Sequence, residues 1–246
     1  MSQLKVHRVA VLSDNYCYIL EDPATRQAVL VDPPVVEPLV EVLERHNLRP
    51  VAIWVTHHHH DHTGGVTELR RRYDLPVYAS AADRGRVPDQ THELKEGDQL
   101  EFAGQSVDIF EVPGHSSGHI AYYTPGHVFS GDVVFGASCG RIFEGTPAQM
   151  YASVQKIASL PEDTNIWCGH EYTLGNLKFA AGVDPDNSAL KERLAKASVP
   201  TVPLQVGLEK ATNPFMRCDQ PAIQQYAGHS DPIEVFAEVR RRKDAG

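Results

Sequence analysis

Five histidines and one aspartate fill residues 57–62, reading His57-His58-His59-His60-Asp61-His62. Imidazole is a borderline ligand suited to zinc, iron and related metals, and a carboxylate adds a hard oxygen. The run is internal, is entered from the apolar segment 51–55 and leaves through Gly64-Gly65. That placement is unlike a terminal purification tag or a solvated loop, and it points to metal binding. On an extended segment alternate side chains share a face. His57, His59 and Asp61 are then expected to point together, with His62 opening the turn and His58 and His60 turned away. A metal takes three or four protein ligands, so this stretch alone fits one crowded metal or two adjacent ones.

The elements that must position these groups follow from hydrophobic period and turn chemistry. Strands are expected over 5–12, 16–20, 27–31, 51–55, 76–79, 99–102, 106–112, 120–123, 127–129 and 165–168. Helices are expected over 36–47 and 66–73, and from a capping box at Thr146-Pro147-Ala148-Gln149 to about 159. Four strands end in candidate ligands: the histidine run, His115, Asp132 and His170. Strand ends opening into turns are where α/β proteins place their chemistry. Seven such side chains are too many for one tetrahedral ion, and a carboxylate-bridged pair of metals uses them all. Asp32, at another strand end, is placed to orient a ligand histidine. After Tyr172 no strand-like alternation follows, and helices are expected over 174–181, 187–197 and 232–243, the last with a capping box at Asp231-Pro232-Ile233-Glu234. The reading is a mixed α/β domain over 1–171 with an all-helical appendage over 172–246.

Composition excludes several function classes. No apolar run approaches the roughly 18 residues that span a bilayer, and the N-terminus lacks the basic-then-apolar shape of an export signal. Four cysteines without a CxxC pair fit reduced thiols in a cytoplasmic protein. The net charge of −9 lies in residues 1–170, since ten basic and ten acidic residues balance in 171–246. An acidic main domain argues against nucleic acid as a partner. One basic cluster remains, Arg240-Arg241-Arg242-Lys243.

The string Thr56-His57-His58-His59-His60-Asp61-His62 carries the T-H-x-H-x-D-H signature and resembles the metallo-β-lactamase superfamily, whose fold is a four-layer αββα sandwich. Further segments narrow the resemblance. Leu12-Ser13-Asp14-Asn15-Tyr16, Cys139-Gly140-Arg141-Ile142-Phe143-Glu144-Gly145-Thr146, Cys168-Gly169-His170-Glu171-Tyr172-Thr173, Asn213-Pro214-Phe215-Met216-Arg217 and Val239-Arg240-Arg241-Arg242-Lys243-Asp244 are similar to glyoxalase II, the hydroxyacylglutathione hydrolase family. The likeness covers nearly the whole chain. It implies His57, His59 and His115 on one metal, Asp61, His62 and His170 on a second, and Asp132 bridging. It implies zinc as the metal, with iron and manganese as alternatives. Glutathione contacts are implied at Arg141, Tyr172, Arg240 and Lys243, with Phe143 at a position where some members carry a hydroxyl.

The function so implied is hydrolysis of S-(2-hydroxyacyl)glutathione, typically S-D-lactoylglutathione, to glutathione and D-lactate, the second step of methylglyoxal detoxification, by a monomeric cytoplasmic enzyme. The expected nucleophile is a water deprotonated between the two metals, with Asp61 and Asp132 as the carboxylates nearest the chemistry. A thiol leaving group of pKa about 8.5 departs with little acid help, so no serine or cysteine nucleophile is needed. Single-iron persulfide dioxygenases of the same superfamily share the histidine string, but usually carry cysteine where His119 stands and lack the C-terminal helices.

Overall fold

The computed structural model describes residues 4–246; residues 1–3, part of the stretch read for an export signal, lie outside the described residues. The chain divides into two compact units, one covering residues up to 111 together with Gly118–Pro125, the other Val112–Ser117 together with Gly126–Gly246.

The first unit opens with an antiparallel hairpin, β1 (Lys5–Val11) and β2 (Asn15–Glu21), followed by β3 (Gln27–Val31) antiparallel to β2. Helix α1 (Glu37–Arg45) leads to β4 (Arg49–Trp54), which pairs parallel to β3. A single turn, α2 (His60–Thr63), and α3 (Val66–Tyr73) lead to β5 (Val77–Ser80) and β6 (His92–Leu94), both parallel additions. The sheet order is β1-β2-β3-β4-β5-β6. The central strands β2 and β3 are buried almost throughout, as near-continuous apolar runs should be. Leu39, Val40 and Leu43 of α1 and Val66 and Leu69 of α3 are buried in the same core. Their spacing puts one apolar stripe of each helix inward, and each buried Leu or Val contributes about 1.5–3 kcal/mol. The meander β7 (Gln99–Phe102), β8 (Gln105–Glu111) and β9 (Ile120–Thr124) completes the unit.

The second unit holds β10 (His127–Gly131), the two-residue pair β11 (Val134–Phe135) and β12 (Ser138–Cys139), α4 (Pro147–Ala158) and β13 (Asn165–Cys168), which runs parallel to β10. Then come α5 (Thr173–Val183), α6 (Ser188–Lys196), β14 (Leu204–Gln205), α7 (Val206–Thr212), α8 (Pro221–Ala227) and α9 (Pro232–Ala245). The Thr146 capping box forms in both directions, with Gln149 N–H donating to Thr146 Oγ1 and Thr146 N–H to Gln149 Oε1. The Asp231 box forms only in half. Its carboxylate accepts from the N–H groups of Ile233 and Glu234, while the Glu234 carboxylate turns to His229.

Three expectations need correction. The segment expected to stay extended through Asp61 leaves the strand after Trp54, bends at Thr56 and His57, and turns helical at His60, with His59 (φ −59°, ψ 144°) at the cap of α2, so Asp61 and His62 are placed by a helical turn. The C-terminal region is not purely helical, because Leu204 and Gln205 pair with β13. Helices α7 and α8 lie in stretches given no structure from sequence. Among the described residues no helix is long and apolar enough to cross a membrane.

Candidate metal centre

In the first unit the histidine run is organised by Asp32. Its backbone is left-handed (φ 49°), a region Asp tolerates better than most residues. Its Oδ1 accepts the Thr56 N–H at 2.7 Å, and its Oδ2 accepts the Thr56 hydroxyl at 2.7 Å and His62 Nδ1 at 3.0 Å. The Thr56 proton is thus spent on Asp32, so its oxygen accepts from His57 Nδ1 at 3.1 Å. With Nδ1 of both His57 and His62 acting as donor, each neutral ring turns a lone pair out at Nε2. One carboxylate therefore sets two imidazoles, the supporting role proposed for Asp32 from sequence.

His57 Nε2 lies 3.0 Å from His59 Nδ1, and the rings of His57 and His62 are 4.2 Å apart. His119, buried, stacks on His57 at 4.6 Å. Asp61 Oδ2 accepts from Asn15 Nδ2 at 2.9 Å and lies 3.7 Å from His62 Nε2. The two histidines set aside from sequence go elsewhere. His58 contacts Arg86 at 2.8 Å and Asp83 at 3.6 Å, and His60 is exposed.

The second unit assembles the other three candidates. His115 Nε2 and His170 Nε2 both lie 3.3 Å from the same atom, Asp132 Oδ2. All three residues are buried. His115 Nδ1 donates to the Arg141 carbonyl oxygen at 2.9 Å. A carbonyl only accepts, so this ring too presents its lone pair at Nε2. The close approach needs Gly140, where a Cβ would fall 2.0 Å from the Asp132 carbonyl oxygen and 3.3 Å from His115 Nδ1. The His170 ring stacks on Tyr172 at 4.8 Å with planes 4° apart, and Phe143, exposed, lies 5.1 Å from the His115 ring.

A divalent cation fits this donor set: the His57, His62 and His115 rings fixed with Nδ1–H inward and Nε2 outward, beside carboxylate oxygens, and in the second unit two imidazole Nε2 atoms close to one oxygen. A thiolate nucleophile does not fit. No disulfide joins the four cysteines, and all four are buried. Burial pushes the Cys139 thiol up to about 11 despite Arg240, and raises Cys168 as well.

The residues expected to meet the substrate lie in the second unit too. Arg240 is buried and its guanidinium is 5.5 Å from the Phe215 ring. Lys243 Nζ is 5.7 Å over Phe179, and its pKa is held down by burial and by Arg240. Arg141 is exposed, with Nε 3.7 Å from Asp244 Oδ1. Sequence reasoning missed the contacts of Asn15 and Asp244, although both stand inside quoted motifs.

The metallo-β-lactamase superfamily model matches residues 11–170, and the model described as hydroxyacylglutathione hydrolase C-terminus matches 171–246. Hydroxyacylglutathione hydrolase of Synechococcus sp. (strain JA-3-3Ab) is 49% identical over 250 residues, covering 98% of this chain and 99% of its own. The chain belongs to the hydroxyacylglutathione hydrolase family. Its fold is that of the metallo-β-lactamases, as solved structures also show. ETHE1 from Myxococcus xanthus matches with a TM-score of 0.71 at 24% identity, over 98% of this chain and 91% of its own. TTHA1623, solved in a di-iron-bound form, matches with a TM-score of 0.61 at 29% identity, over 84% of this chain and 98% of its own. The superfamily match takes in all seven candidate ligands, and the C-terminal match takes in Tyr172, Arg240 and Lys243.

Proposed function

We propose that this family member hydrolyses S-(2-hydroxyacyl)glutathione thioesters, S-D-lactoylglutathione among them, to glutathione and the 2-hydroxy acid. The observation that carries the reading is the aim of His115 and His170 at one oxygen of Asp132, in a chain whose relative of that name is alike from end to end. His57, His59 and His115 would hold one divalent metal, Asp61, His62 and His170 the other, and Asp132 both. Zinc suits imidazole-rich sets of this kind. Two such ions would supply Lewis acidity, polarising the thioester carbonyl and lowering the pKa of water towards about 7.

The chain's own residues do the rest. Asp32 keeps His57 and His62 in the tautomer that leaves Nε2 available, and the Arg141 carbonyl does so for His115. Asp132 sets one carboxylate oxygen 3.3 Å from Nε2 of both His115 and His170. The glutathionyl group carries two carboxylates and one ammonium, and a chain of net charge −9 repels it at long range. Arg141, Arg240 and Lys243 supply local cations, with Tyr172 and Phe143 as flat walls beside His170 and His115. The thiolate departs without a dedicated acid.

The test is release of glutathione from S-D-lactoylglutathione, run beside metal analysis. Hydrolysis should vanish on chelation, return with zinc, and saturate at about two metals per chain. Full activity in metal-free protein would refute the mechanism.

A further inference from the structure

Arg240 and Asp244 stand one helical turn apart on α9. Arg240 Nε and Nη2 donate to the Asp244 carboxylate at 3.3 and 2.7 Å, and Nη1 donates to the Cys139 carbonyl at 3.1 Å. The Cys139 thiol also bonds this guanidinium, and of its five N–H donors not all are taken. The same Asp244 oxygen that takes Nη2 lies 3.7 Å from Nε of Arg141, whose side chain is otherwise in solvent. Lys243 is half-buried beside them, and both Arg240 and Asp244 act on its titration. One carboxylate thus sits among three cations, and the locus stays net positive.

Resting on the function proposed above, we propose that Asp244 is a positioning residue for glutathione specificity: it locks the Arg240 guanidinium from one side and draws Arg141 to the same place, ready for a carboxylate of the glutathionyl group. The physical reason is preorganisation. Arginine side chains lose much rotamer freedom when they bind, and a partner already on the chain removes that cost before substrate arrives. Asp244 also repels a carboxylate, so its removal would help binding if repulsion outweighed ordering. The opposite sign is expected, because the cations outnumber it and Arg240 is buried, where an uncompensated guanidinium is costly.

Steady-state kinetics on metal-loaded Asp244→Asn decides the sign. S-D-lactoylglutathione is compared with S-lactoyl-N-acetylcysteamine, a thioester with no carboxylate. KM for the glutathione thioester should rise about ten-fold, with kcat within about two-fold, while the short thioester shows no matching loss. Asp244→Glu should recover most of the binding; if Asp244→Asn does not fold, this longer carboxylate carries the test through a smaller rise in KM for the glutathione thioester alone. An unchanged or lowered KM overturns the proposal, and so does an equal loss on both thioesters. Inertness of the unsubstituted enzyme towards S-D-lactoylglutathione would overturn the functional reading instead, before any variant is compared.

Discussion

Residue 141 acts twice. Its main-chain oxygen fixes the His115 ring, and its side chain belongs to the cation group around Asp244. Arg141→Ala keeps the carbonyl, so metal content should hold while KM for the glutathione thioester rises about ten-fold, the loss of one charge-assisted hydrogen bond; metal analysis beside kinetics reads both. Gly140→Ala should do the reverse, because its Cβ would drive into the Asp132 backbone. The expected result is loss of bound metal in protein that retains its far-UV spectrum. Lys243 adds a pH dependence. Burial holds its pKa below the ordinary lysine value, so the cation is lost earlier as pH rises. KM should therefore climb in the alkaline range below the free-lysine titration, and Lys243→Arg should flatten that climb. The candidate ligands were singled out in sequence because four strand ends repeat the arrangement, although a single histidine at a loop end is usually structural. Asn15 and Asp244 were not: Asn reads first as a turn former and Asp near a helix end as solvated charge.

Elements with redundant local signals were also legible. Helix α4 has Pro at its first position and a reciprocal cap, and β2 to β4 each carry an apolar run of four or more residues. Helix α7, Val-Gly-Leu-Glu-Lys-Ala-Thr, is only two turns long, too short to be stable alone, and is held by tertiary contacts. Its Glu209 is fully buried, and the carboxylate accepts from Ala137 N–H at 2.8 Å, Asn213 Nδ2 at 3.0 Å and the guanidinium of Arg193. No sequence window could show that pairing across some seventy residues. Helix α8 did carry its signals, Pro221 at the start and Gly228 in the left-handed region after it, yet its two turns were given no structure from sequence. The Glu209 contact matters because Ala137 is itself left-handed (φ 56°), in the connection between β11 and β12 that leads to Gly140. Glu209→Gln removes the buried charge that faces half-buried Arg193. The expected loss is about 3–5 kcal/mol of unfolding free energy in urea, with metal binding weakened because the β11–β12 pair is freed. A loss under about 1 kcal/mol would show that the network is replaceable.

At the scale of the whole chain, the candidate ligands are divided between two compact units. Four come from the first and three from the second, and each set is already oriented by its own unit: Asp32 through Thr56 in one, the Arg141 carbonyl in the other. The geometry of each set is thus established within its own unit. That separates two outcomes of metal removal. A metal that binds only the native state at about 1,000 times its Kd stabilises it by about 4 kcal/mol. For a chain of this size that corresponds to a fall in melting temperature of about 8–16 °C on chelation. If the metals are shared between the sets, His57→Ala and His115→Ala, one from each unit, should each abolish most of the zinc-dependent shift along with hydrolysis. If the first unit holds its metal unaided, His115→Ala would leave the larger part of the shift intact while activity falls. Melting curves with and without zinc for these two variants therefore decide whether the histidine run is a site in itself or one side of a larger one.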